Sequence, residues 1–364
     1  MAHETAASYC AAGECAGGDT APAGPALDWG VPKQYPSSTL SAAASLFVAF
    51  LASLAVAGPA AAQRLPFERA IDVSPGATLD VSTVRGKVDI TADDMRQVRV
   101  QGTVTVRLGF DVPANALELA QRVADHPRIE VAGNVVRLRP PVDSDELRAV
   151  TVSYIVRVPR DTRVIITTDS GAITVDDVAA PVAVTTQSSS IVLSRLGGKT
   201  DVKTGSGEVK VDRAEGGLSI VTQSSAITAR GLRGAFDART QSGAVRATFV
   251  GPGGAEVETG SSSIQIDGLA GPLTVRTQSG RVEVRGAPAG SEGWNIVTGS
   301  SSVEIALDAA ARMTLDATTH SSTIRLDDVT VDGTVMKGRV SGTVGGGGPT
   351  VRIATRNGSI RISG

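Results

Sequence analysis

Apolar and polar residues alternate in short runs along most of the chain, and the runs keep phase with a repeated corner. The pattern Thr-x-Ser-[Gly/Ser]-x-[Ile/Val] recurs with Thr at 168, 186, 204, 222, 240, 259, 277, 298 and 319, and weakly at Thr355 (T-R-N-G-S-I). Four and two residues before each Thr stand pairs such as Val164/Ile166, Val182/Val184 and Leu273/Val275. Five and seven residues after it stand Ile173/Val175, Ile191/Leu193 and Val282/Val284. Period two is the signature of a strand. Each unit therefore predicts a strand, a tight corner, a second strand and a Gly/Pro loop. A unit of about 18 residues cannot bury its apolar face alone, but stacking on identical neighbours can. The expected fold is all-β: a single-chain parallel β-solenoid with coils of about 18 residues. The gap of 36 residues between Thr319 and Thr355 leaves room for a skipped coil, expected around Arg339–Val344.

The corner Thr and the Ser two residues on are both expected to face inward, as stacked hydroxyl ladders. Outward Thr arrays on solenoids can bind ice, but the outward positions here carry Asp201, Asp237, Glu258, Arg276 and Arg325. The residue three after the Thr alternates: Gly171, Ser189, Gly207, Ser225, Gly243, Ser262, Gly280, Ser301. The true repeat is thus a pair of coils, and duplication of that pair accounts for it without a ligand.

Residues 63–160 are less periodic but rich in strand patterns, at Val98–Val106, Ile129–Arg139 and Ala149–Val158. Asn115–Ala124 is the one convincing amphipathic helix, with Leu117, Leu119, Ala120 and Val123 for its buried side. T-V-R-G-K-V-D-I from Thr83 resembles a coil corner. These residues read as first coils plus a strand-rich cap over the N-terminal edge, ahead of solenoid repeats in residues 161–364.

Several segments carry a family resemblance: P-G-A-T-L-D-V at Pro75, V-S-Y-I-V-R-V-P at Val152, and the T-D-S-G-A-I and T-Q-S-G-R-V coils. The closing G-G-G-G-P-T-V-R-I-A-T-R-N-G-S-I-R-I from Gly345 is the most specific. The chain resembles the bacterial toastrack, or adhesin-type β-strand-repeat, family over nearly all of residues 63–364. The resemblance implies an extracytoplasmic β-solenoid found around envelope functions and stress sensing. It implies no assigned activity and no residue-level site.

Residues 1–62 read as a leader. Leu46–Val56 is a compact apolar run, followed by the breaker Gly58-Pro59 and by Ala60-Ala61-Ala62 ahead of Gln63. That is the form of a secretory signal peptide, about residues 31–62, cleaved before Gln63. The run is short for an uncleaved membrane anchor. Residues 1–30 are Ala-, Gly- and Pro-rich, and translation is expected to begin near Val31. The expected location is periplasmic, outer-surface or secreted.

Composition removes other classes. The 35 basic residues against 37 acidic ones leave no footprint for nucleic acid. The two cysteines, Cys10 and Cys15, lie in the leader, and three histidines (His3, His126, His320) are too few for a His-built centre. Asp176-Asp177, Asp327-Asp328 and Asp143/Asp145/Glu146 read as solvated loop acids, the first two with a weak calcium site as the remaining option. His320 reads as an exposed turn residue, His126 as a helix end and Trp294 as core. Gly345–Gly348 precedes a strand, so it is not a phosphate loop. No catalytic, metal or cofactor-binding residue is assigned.

The reading is a non-enzymatic exported envelope module, adhesin-like or stress-associated, that presents a surface to an unknown protein or envelope glycan. The rival is a polysaccharide-acting β-helix lyase or hydrolase, which needs an aromatic-lined groove with clustered acids. The chain ends directly after the strand Ser359–Ile362, whose free edge is expected either to recruit a second copy as a homodimer or a partner's strand, or to be guarded by Arg356 and Arg361 against stacking.

Overall fold

The computed structural model describes residues 63–308 and 311–364. All of these fall within one unit, Gly58–Gly364; residues 1–62, with the expected leader and both cysteines, lie outside the described residues. Among the described residues, 27 strands join into one continuous, mostly parallel sheet wound as a solenoid. Each coil gives a first strand that runs into the corner Thr and a second strand beyond it. First strands stack as one face and second strands as the other. Val182 pairs with Val164 on one side and Thr200 on the other, while Ile191 lies between Ile173 and Val209. Register is fixed by burial, because a slip of one residue would turn every inward Val and Ile into water. Val164, Ile166, Ile173 and Val175 are at most 1% exposed. Leu196, Ala214, Leu232 and Phe249 line a short third side in the same way.

All ten corner threonines and Thr83 are buried, at 3–7% exposure. The serines two residues on are not inward, contrary to expectation. The chain turns between them, so Ser188, Ser224, Ser242 and Ser261 face out. They bond across coils in pairs: Ser188 with Ser206 at 2.7 Å, Ser224 with Ser242 at 3.3 Å, Ser261 with Ser279 at 3.2 Å. Some buried hydroxyls instead close bonds within their own corner, while those of Thr240, Thr259 and Thr298 have no partner. Thr204 donates to the Ser206 carbonyl at 2.9 Å, whereas Thr222 donates to Ser225 Oγ at 2.7 Å. These two corner types explain the alternation. Gly207 has φ 110°, and a Cβ there would overlap the carbonyl oxygen of Ser189 one coil back. In the other type a buried Ser fills the inside of the turn.

Both ends depart from sequence order. At the start, Thr78–Thr83 is flanked by Val135–Leu138 and Arg163–Ser170, and Val88–Asp93 by Val150–Pro159 and Ile173–Asp176. The first coil of the chain is therefore second in space. At the finish, Thr350–Thr355 lies between Trp294–Thr298 and Met313–Thr319. Ile360–Ser363 lies between Val303–Leu307 and Ile324–Asp327. The last coil is slipped inward by one place. The C-terminal strand is thus no free edge, and the homodimer expected through it loses its physical basis. Arg339–Val344 is no skipped coil either: it pairs antiparallel with Met313–Thr319 and with Asp332–Met336, as a hairpin closing that end.

The opposite end is covered by Gln97–Val106 and Arg64–Asp72, added antiparallel beyond Val150–Pro159. The helix Ala116–Asp125 packs there and ends at His126, whose N–H donates to the Arg122 carbonyl. It buries Leu119, Ala120 and Val123, but Leu117 is exposed. A second, six-residue helix, Ser144–Ala149, stands where loop acids were expected. Asp143 caps it by accepting from the N–H groups of Asp145 and Glu146.

Candidate functional site

The main concavity is a groove of about 1200 Å³ along the first face, from Thr185 to Gly299 and Arg356. It runs across the strands, following the direction in which coils stack. One wall is the outward column just before each corner Thr: Lys203, Val221, Arg239, Glu258, Arg276 and Val297. These residues are register partners, each paired with the next. The other wall is the column just after the Thr, where Gln187, Gln223, Gln241 and Gln278 present amides. Gly205, Gly260 and Gly299 interrupt that column because the backbone packs closely; a Cβ on each would stand 2.6–2.8 Å from a Gln carbonyl oxygen of the preceding coil.

The groove is lined mainly by polar and charged residue types, with Val221 and Val297 among them, and its lining includes no aromatic ring. Arg239 is held by Asp237 at 2.8 Å, Glu256 at 3.6 Å and Glu258 at 3.7 Å, and Arg276 reaches Glu256 at 3.5 Å. Asp201, beside Lys203, is engaged by Lys199 at 3.5 Å. The acids on this face are therefore tied to cations rather than converging on an open point. None of these groups was singled out from sequence as a site. Each is an ordinary outward residue of a strand, and only the stacking order aligns them.

The residues weighed from sequence are scattered. Asp176 pairs with Arg195, and Asp177, at φ 63°, pairs with Arg160 at 2.7 Å. Asp327 pairs with Arg361 at 2.5 Å, and Asp328 occupies a turn at φ 59°. Among the described residues no group of three His, Cys, Asp or Glu is placed to hold a metal ion. His320 is exposed at its corner. Trp294 is core, 1% exposed, and donates from Nε1 to the Gly271 carbonyl at 2.9 Å. Gly345–Gly348 turns the closing hairpin into the strand Thr350–Thr355.

A smaller cavity of about 220 Å³ lies in the cap, walled by Phe67, Val123, Val152 and Tyr154. Phe67 and Tyr154 meet edge to face at 6.3 Å across Gly102, the residue between them in register. Burial pushes the Tyr154 phenol up to about 12. The arginines around this cavity are matched by acids: Arg139 with Asp80, Arg128 with Glu130, Arg122 with Glu118 and Glu146.

Comparison with known proteins gives three findings. A search of curated proteins finds no match. Among solved structures, a putative adhesin from Bacteroides fragilis aligns at 12% identity, covering 82% of this chain and 96% of that one, with a TM-score of 0.30. A putative cell adhesion protein from Clostridium sporogenes aligns at 10% identity over 82% and 99%, with a TM-score of 0.23. Neither likeness decides anything about this chain at such scores. The third finding is direct, since the Toastrack DUF4097 model matches residues 77–363. The chain belongs to the Toastrack DUF4097 family.

Proposed function

We propose that this chain is an exported, non-catalytic module of the cell envelope that binds a partner through the groove on its first face. The observation that supports this most is the groove itself: a long channel built by register, crossing coil after coil, on a rigid scaffold. Rigid elements hold outward side chains in place with little loss of entropy on binding. The rival reading, a polysaccharide-cleaving enzyme, gains no support there. Its sugar-stacking aromatic wall is missing from the groove lining, and Asp237, Glu256 and Glu258 are all engaged by Arg239 or Arg276.

Two experiments test the proposal. N-terminal sequencing of exported material should begin at Gln63, and a product retaining Cys10 and Cys15 would contradict export by cleavage. Co-sedimentation with isolated envelopes should be lost on filling the groove with Val221→Trp and kept by Val192→Trp on the second face. Both valines are exposed, at 39% and 37%, so neither change disturbs the core. Equal behaviour of the two variants would contradict the groove as the contact surface.

A further inference from the structure

The two-coil period has an outward consequence. Reading along the groove, one register step at a time, the column runs Lys203, Val221, Arg239, Glu258, Arg276, Val297. The next partner is Ala354, and Arg356 stands beyond it in the groove lining of that coil. Cations thus recur on alternate coils. Lys203, Arg239 and Arg276 make up this series; Arg356, just past Thr355, stands on the opposite wall, level with Gly299. With strands about 4.8 Å apart, the charges repeat at about 10 Å.

We propose, resting on the reading of the groove as the contact surface, that it binds a linear acidic glycan carrying one anionic group on alternate sugars. A linear glycan whose ring repeat is close to the strand spacing of about 4.8 Å meets a cation at every second ring. Val221 and Val297, both exposed, offer apolar contact to the C–H faces of intervening rings. The glutamine amides opposite supply donors and acceptors for hydroxyls. A polypeptide fits less well. The lining strands already spend their backbone groups on both neighbours, so no strand can be added, and a residue rise of about 3.4 Å is out of step with the coils. Glu258 in the groove lining, and Asp237 and Glu256 beside it, pair with Arg239 and Arg276 and work against the ligand, which must compete with these acids. Glu258 makes a prediction of sign, because removing it should tighten binding.

The test is calorimetric titration of the protein at low salt with size-matched oligosaccharides. Hyaluronan fragments carry a carboxylate on alternate sugars, oligogalacturonate carries one on every sugar, and chitin fragments carry none. The alternating chain should bind best and weaken about tenfold or more with added salt, as expected when several charge contacts are screened. Lys203→Ser combined with Arg276→Ser should weaken it about tenfold, at about 1.4 kcal/mol per factor of ten. Glu258→Gln should strengthen it. These side chains are exposed or half-exposed, so folding is not at stake. The proposal is overturned if chitin fragments bind as well as hyaluronan fragments, or if the three substitutions leave affinity unchanged. If that happens while Val221→Trp still abolishes envelope binding, the charge spacing is wrong and the groove remains the contact surface. If Val221→Trp leaves envelope binding intact, the groove reading itself fails.

Discussion

Gly358 lies against the backbone of Ser301 so closely that a Cβ on the glycine would overlap the serine carbonyl oxygen. The contact exists because the chain passes Ser301, builds the outer coil and closing hairpin, and then slips its final coil back inside them. Gly358→Ala should therefore destabilise the fold by about 1–3 kcal/mol in urea melts, the usual cost of forcing atoms into a filled space. Amide exchange reports the same arrangement. Ile360 and Ile362 should exchange slowly although they are close to the C-terminus, and Asp332–Met336, exposed throughout on the closing hairpin, should exchange fast. Rapid exchange at Ile360 would mean that the last coil is not inserted.

Corner threonines differ in how their hydroxyls are met. Thr222 gives its hydroxyl to Ser225, whereas the Thr240 hydroxyl is buried without a partner. Thr222→Val should cost about 1–3 kcal/mol by stranding a buried serine hydroxyl. Thr240→Val removes an unpaired polar atom and should be neutral or stabilising. Paired urea melts read the difference directly, and equal losses would contradict the local bonding.

Tyr154 predicts an alkaline limit. Its phenol ionises near 10 in an unfolded chain and near 12 when folded, because burial disfavours the anion. Between those values the folded state holds a proton that the unfolded state has released. Stability therefore falls as pH rises from about 10 to 12, by roughly 2–3 kcal/mol. Tyr154→Phe should match the parent at pH 7 and flatten the alkaline loss. An unchanged profile would place the phenol in water.

The core was legible from sequence because alternation with period two is itself the record of burial: Val164, Ile191 and Trp294 are inward as their phase requires. The corner serines were misread because parity does not survive a turn, and Ser188 faces out two residues beyond buried Thr186. The inserted last coil left a trace that alternation can detect. After Ser301 the rhythm requires glycine, yet the next corner in sequence carries Ser322. Gly358 supplies the glycine once the coils are taken in spatial order. The helix at Ser144–Ala149 was signalled by Asp143 with acids in the first turn, a pattern hidden by reading those acids only as loop charges. The groove could not be read, because Lys203, Arg239 and Arg276 look unrelated until the stacking order aligns them.

The most direct measurement is site-specific photo-crosslinking in cells that make the protein. A crosslinker at Gln223 or Gln241, in the groove, is compared with one at Val192 or Lys210, on the second face. Adducts with an envelope component should form from the groove positions and not from the second face. Adducts from Val192 and Lys210 with none from Gln223 or Gln241 would contradict the assignment of the groove as the surface through which this protein acts.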